Sequence, residues 1–131
     1  MENYFSVTIE EFAERHFIKT FLKKYKNNWL LTFAAVKEEL KRIDTFIKST
    51  DKAETIVDAG NIKIVKTKFR VVGTKESAKS SGNRCIVALD IEKREVSVLL
   101  VYGKTDLSGK NETSEWKNII KNNYYSYKDL F

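Results

Sequence analysis

Lys66, Lys68 and Arg70 recur at every second position of the segment Ile62–Val72, whose other residues are largely apolar or β-branched. Side chains alternate across a strand, so the three cations share one face while Val65, Phe69 and Val71 point the other way. Cations at this spacing repel one another, and a phosphate backbone relieves that repulsion. The alternative is an ordinary solvent-facing strand. The absence of an acid on that face from Lys66 to Arg70 weakens it. Arg84 opens a later apolar segment, and Lys104 follows another. If the three segments are neighbouring strands, Lys68, Arg84 and Lys104 converge at one end of a sheet. Such a cluster can cleave RNA without a metal, a cofactor or a His. A Lys takes the proton from the ribose 2′-OH, and the other cations stabilise the charge that gathers on the phosphorane. DNA lacks the 2′-OH, so this chemistry is specific to RNA.

Other chemistries find less support. One His and one Cys exclude the usual Cys/His zinc ligand sets, and one Cys excludes an internal disulfide and fits a reducing cytoplasm. No Gly-rich phosphate loop of either common kind is present. His16 stands on an early helical segment among charged neighbours and reads as a surface or structural residue. Cys85 sits among alternating apolar residues and reads as core. Asp90 and Asp106 are carboxylates without a metal-ligand spacing. No apolar run approaches the ~20 residues of a membrane span, and Met1–Thr8 does not read as a signal peptide, so no membrane partner is expected.

Charge is distributed unevenly along the 131 residues. Residues 63–110 hold eleven basic and five acidic residues, which is the whole net charge of +6, while the remainder balances. A localised excess focuses potential on one surface and attracts polyanions.

The elements that must position these residues follow from periodicity. Tyr4–Thr8 alternates and reads as a short strand. Thr8 and Glu11 have capping-box spacing, so a helix is expected from there, with Phe12, Phe17, Phe21, Leu22 and Tyr25 as its buried stripe. Lys26-Asn27-Asn28 breaks the pattern. Trp29, Phe33, Val36, Leu40, Ile43 and Ile47 are spaced for one face of a second helix. Ser49–Asn61 reads as a connection. Period two then marks strands at Ile62–Val72, Arg84–Ile91 and Glu95–Tyr102, with Gly73–Asn83 as a basic Gly/Ser loop. A short helix is expected from Thr113 to Asn122. The order β-α-α-β-β-β-α gives an α+β fold: an N-terminal antiparallel helical hairpin packed on a small, mainly antiparallel β-sheet, with a short C-terminal helix. No repeat or linker divides residues 1–131, so one domain is expected.

The run Lys79-Ser80-Ser81-Gly82-Asn83-Arg84-Cys85-Ile86-Val87 resembles the K-S-G-G-x-R-V-I run of RelE/ParE-superfamily toxins, in particular their RelE-like and HigB-like branches. Val98-Leu99-Leu100-Val101-Tyr102-Gly103-Lys104 resembles their L-L-L-V-Y-x-K strand, and Lys68-Phe69-Arg70-Val71 their K-x-R-V strand. The resemblance implies a RelE-like toxin of a type II toxin–antitoxin system. Its RelE-like members are metal-independent endoribonucleases that cut mRNA on the ribosome in the cytoplasm and are held by a cognate antitoxin. Carried over residue by residue, it implies catalytic roles for Lys68, Arg84 and Lys104, and RNA contacts for Lys66, Arg70 and Lys79. ParE-like relatives share the fold but inhibit DNA gyrase by binding, and a non-catalytic RNA-binding module is a further alternative. Some RelE-like toxins stack a base on a Tyr in the last segment. Asp106–Glu112 has no aromatic residue, and Trp116, Tyr124 and Tyr125 are the nearest substitutes.

Overall fold

The computed structural model describes residues 4–103, 105–107 and 110–131. Its centre is a five-stranded sheet of β1 (Ser6–Ile9), β2 (Ala53–Ala59), β3 (Ile62–Lys68), β4 (Arg84–Asp90) and β5 (Glu95–Tyr102), in the spatial order β1-β5-β4-β3-β2. β1 runs parallel to β5 and every other pairing is antiparallel, as the mainly antiparallel expectation has it. The helical segments are α1 (Glu11–Ala13), a π-helical stretch Glu14–Ile18, α2 (Lys19–Tyr25), α3 (Asn27–Lys41), α4 (Ile43–Ser49) and α5 (Glu112–Asn123), with a terminal 3-10 helix at Tyr125–Leu130. Among the described residues, no helix is long and apolar enough to cross a membrane.

The sheet is covered on both faces. Phe21, Trp29, Val36, Leu40 and Ile43 pack on one face against Val65, Val87, Val96 and Val98. Phe21 stacks on Trp29 at 4.6 Å and Trp29 on Phe33 at 5.0 Å. This is the amphipathic stripe the second helix promises. The opposite face carries Ile64, Ile86, Leu100 and Tyr102 beneath Trp116 and Ile120 of α5, with Leu130 and Phe131 packed at the margin.

Several expectations need correction. The segment Ser49–Asn61 is not only a connection, because it contains β2, paired with β3 through a bulge between Thr55 and Val57. The bulge interrupts period-two alternation and hides the strand from a pattern search. The first helix does not begin with a capping box. β1 extends to Ile9 along β5, which takes Thr8 into the sheet, and Glu10 precedes the helix without a side-chain cap. The π-helical stretch splits the expected single stripe. Phe12 and Phe17 join the α5 side, Phe21 joins the α3 side and Leu22 is exposed. A π-turn adds a residue and rotates the following face. The second helix is broken at Arg42 (φ −119°), which separates α3 from α4.

A second bulge has more consequence. β4 and β5 change register between Ile86 and Val87: Ile86 opposes Leu100, whereas Val87 opposes Val98. Leu99 is therefore extra. Uninterrupted alternation would leave Tyr102 on the face of Val96 and Val98. The bulge turns it to the face of Arg84 and Ile86.

Candidate phosphate-binding site

The site forms where β3 ends, β4 begins and β5 ends. Lys68, Arg84 and Tyr102 are directly opposite one another across the three strands, so their side chains share one face. Lys66 lies one row further in, opposite Ile86. It also opposes Glu54 on β2, so the face is not free of acids as the sequence implied. The missed strand supplies that carboxylate.

The loop between β3 and β4 is held by its own chain. The Ser81 hydroxyl lies 2.8 Å from the carbonyl oxygens of both Phe69 and Ala78 and accepts the Asn83 N–H at 3.0 Å. Gly82 supplies the left-handed turn (φ 75°) into the strand. Arg84 then reaches back, donating to the carbonyls of Ala78 (3.2 Å), Asn83 (2.9 Å) and Lys79 (3.0 Å). A guanidinium has five N–H donors in a fixed plane, so two remain for another acceptor. At the other end of the loop, Val72 N–H donates to the Thr32 hydroxyl at 2.8 Å, which itself donates to the Asn28 carbonyl at 2.6 Å. Gly73 (φ 89°) passes so close to Asn28 that a Cβ there would lie 3.0 Å from its amide nitrogen.

A cavity of about 180 Å³ opens between this loop and the turn before β2, lined by Asp51, Lys52, Lys68, Ser77, Ala78 and Lys79. Arg84 grips the carbonyls of two residues in its wall, Ala78 and Lys79. Lys52, Lys68 and Lys79 thus line one small space, with Asp51 as its acid and Arg84 bound to its wall. Among the described residues, none of Lys52, Lys66, Lys68, Lys79 or Arg84 has a carboxylate within ion-pair distance. Chemically this is an anion cradle, suited to phosphate oxygens and to charge that grows on them.

The remaining expected residues distribute differently. The strand expected to reach Val72 stops at Lys68, so Arg70 leaves the row of cations and stands exposed, its guanidinium 3.5 Å from the Thr74 carbonyl. Lys104 lies outside the described residues. Lys52 was not singled out because β2 was not recognised. Tyr102 shows in the sequence only as part of the Val98–Lys104 run. Its hydroxyl donates to Glu112 Oε2 at 2.8 Å, which ties α5 to the site. Burial and then the Glu112 carboxylate hold this phenol above its ordinary range. Trp116 is fully buried, and Tyr124 donates to the Leu99 carbonyl at 2.6 Å, so neither is free to stack on a base. Tyr125 is 83% exposed.

Two alternative chemistries lose their geometry. Cys85 is fully buried, and that burial pushes its thiol up to about 12, which removes it as a nucleophile. Asp90 accepts from Asn61 Nδ2 at 3.1 Å and Lys93 N–H at 3.0 Å in the turn after β4, and these bonds, the Lys93 amide first, hold its carboxyl below its usual range. Asp106 caps the Gly103 N–H at the opposite end of the sheet. The two carboxylates cannot share an ion.

The helix-covered mixed sheet has a RelE-like fold. The chain is similar to the crystal structure of the archaeal RelE–RelB complex from Pyrococcus horikoshii OT3, with a TM-score of 0.54 and 11% identity over 81% of this chain and 100% of that one. No family model matches the sequence, and no curated protein matches it.

Proposed function

We propose that residues 1–131 form a single RelE-like toxin domain, its N-terminal helices α1–α3 forming that fold's helical hairpin. It acts as a metal-independent, ribosome-dependent mRNA endonuclease that blocks translation in the cytoplasm and is neutralised by a cognate antitoxin. The observation that carries the reading is the Lys68–Arg84 pair beside the cavity of Lys52 and Lys79, on a fold shared with a protein crystallised with RelB.

In this reading the scissile phosphate sits in the cradle. Lys68, or Lys66 one row in, takes the 2′-OH proton, and the 2′-oxygen attacks phosphorus. Arg84 directs its two unused N–H donors at the phosphorane oxygens, where charge appears only in the transition state. Lys79 and Arg70 hold flanking phosphates. Lys104, carried over from the family motif, is assigned to the departing 5′-oxygen. The products are a 2′,3′-cyclic phosphate and a 5′-OH end.

One observation favours a second reading. Arg84 spends three donors on its own loop, as a residue kept for loop architecture would. A same-fold inhibitor acting by docking alone, on gyrase or another target, needs nothing more. Induction of the chain followed by primer extension separates the two. Codon-phased mRNA cuts with lost protein synthesis support the nuclease, and intact mRNA with arrested replication supports the inhibitor.

A further inference from the structure

A second cavity, of about 260 Å³, lies beside the end of β5 on the α2 side of the sheet. Phe21, Tyr25, Asn83 and Gly103 are among its walls. Asn83 is only 9% exposed, yet its carboxamide has no hydrogen-bond partner among the described residues. Its donor and acceptor line the cavity, where an occupant's polar edge can replace water as their partner. Gly103 keeps the space open, since a Cβ there would lie 3.2 Å from Asn83 Oδ1 and 3.5 Å from Phe21 Cζ.

The chemistry of the walls narrows the occupant. Among the described residues that line it, Glu76 and Asp106 supply two carboxylates and Lys24 one cation. Among the described residues no group of three metal-ligating side chains exists, here or elsewhere. A planar, neutral group with donors and acceptors on its edge fits: the amide pairs with the edge, the rings of Phe21 and Tyr25 provide apolar walls, and the carboxylates accept from amino groups. Asn83 directly precedes Arg84, and successive residues of an extended chain point to opposite sides. The cavity and the phosphate cradle are therefore back to back across one strand end.

We propose that this cavity receives one nucleobase of the RNA whose phosphate lies in the cradle, with preference for bases bearing an exocyclic amino group. The assignment rests on the RNA reading for its biological ligand, while the binding itself does not need the cradle.

The test is a titration of the full, isotopically labelled chain with adenosine, guanosine, cytidine and uridine, which carry no phosphate, followed by NMR at the Gly103 amide and the Asn83 carboxamide. The expected result is saturable shifts at both, weakest for uridine. Asn83→Ala and the shape-conserving Asn83→Asp should each weaken binding about tenfold or more, read at Gly103. Lys68→Ala should leave the nucleoside shifts unchanged. Absence of saturable shifts with every nucleoside, or equal shifts in both Asn83 variants, overturns the proposal. So do shifts at these signals that only an antitoxin segment produces. Nucleoside binding in a chain that cuts no RNA removes the nuclease reading and leaves the pocket standing. Cleavage without nucleoside shifts does the reverse.

Discussion

Lys68 on β3 and Arg84 on β4 stand directly opposite each other, one at the last and one at the first residue of its strand. The chain between them folds back so that Arg84 clasps its backbone at Ala78, Lys79 and Asn83. One loop thus brings Lys79 to Lys68 and fixes the plane of the guanidinium. That coupling organises the expectations below.

Phosphate contacts should appear in the salt dependence of RNA binding. Each contact to a single strand contributes a slope of roughly 0.7 in log affinity against log salt. Lys68→Ala and Lys79→Ala should each weaken binding uniformly across sequences and lower the slope by about that amount. Fluorescence titration of a short RNA at several salt concentrations measures both. An unchanged slope in both variants removes them from the interface.

The loop depends on Thr32 for its other anchor. Thr32→Val keeps the shape but leaves the Val72 N–H without its acceptor. A loss of about 1–3 kcal/mol is expected, because the orphaned donor stays partly buried. Denaturant unfolding measures it, and hydrogen exchange should show faster opening across 72–83 than in β4.

Alkaline stability follows from Tyr102. Its phenol is raised in the folded chain by burial and by Glu112, so the folded state holds a proton that the unfolded chain releases above about pH 10. Its contribution is fully present below that pH and is lost as pH rises through the folded value. Tyr124, also raised, adds in the same direction. Unfolding measured from pH 7 to 11 should show a fall above about pH 10, and Tyr102→Phe should make that fall shallower while lowering stability at neutral pH.

Much of this arrangement was readable from the chain. Trp29, Val36, Leu40 and Ile43 announced a helix face because large apolar residues at 3.6-residue spacing have few other uses, and alternation along β3 set Val65 in the core on one side with Lys66 and Lys68 on the other, where Ile64 joins the second core. What escaped was set by irregularities. The bulge beside Ile56 concealed β2, and with it Lys52, Asp51 and Glu54. The extra residue Leu99 decided which face Tyr102 takes, and no pattern of period two anticipates it. The three carbonyl bonds of Arg84 arise from the path of a Ser/Gly loop, which sequence marks as a turn without giving its course. Asn83 shows in the sequence only inside a motif, because its place in a cavity wall depends on the packing of α2 against the end of β5.

Single-turnover cleavage of mRNA on programmed ribosomes, with a metal chelator present, tests the central claim most directly. The wild-type chain should cut and leave a 2′,3′-cyclic phosphate. Arg84→Ala should slow the cut about 10²–10³-fold, the loss typical of one transition-state donor, and Arg84→Lys should recover only part of it, since an ammonium cannot engage two oxygens in one plane. Because Arg84 also clasps the loop, thermal unfolding and binding of the antitoxin verify that each variant is folded. Cleavage by folded Arg84→Ala at close to the wild-type rate would contradict the assignment of Arg84, and intact mRNA with the wild-type chain would contradict the nuclease itself.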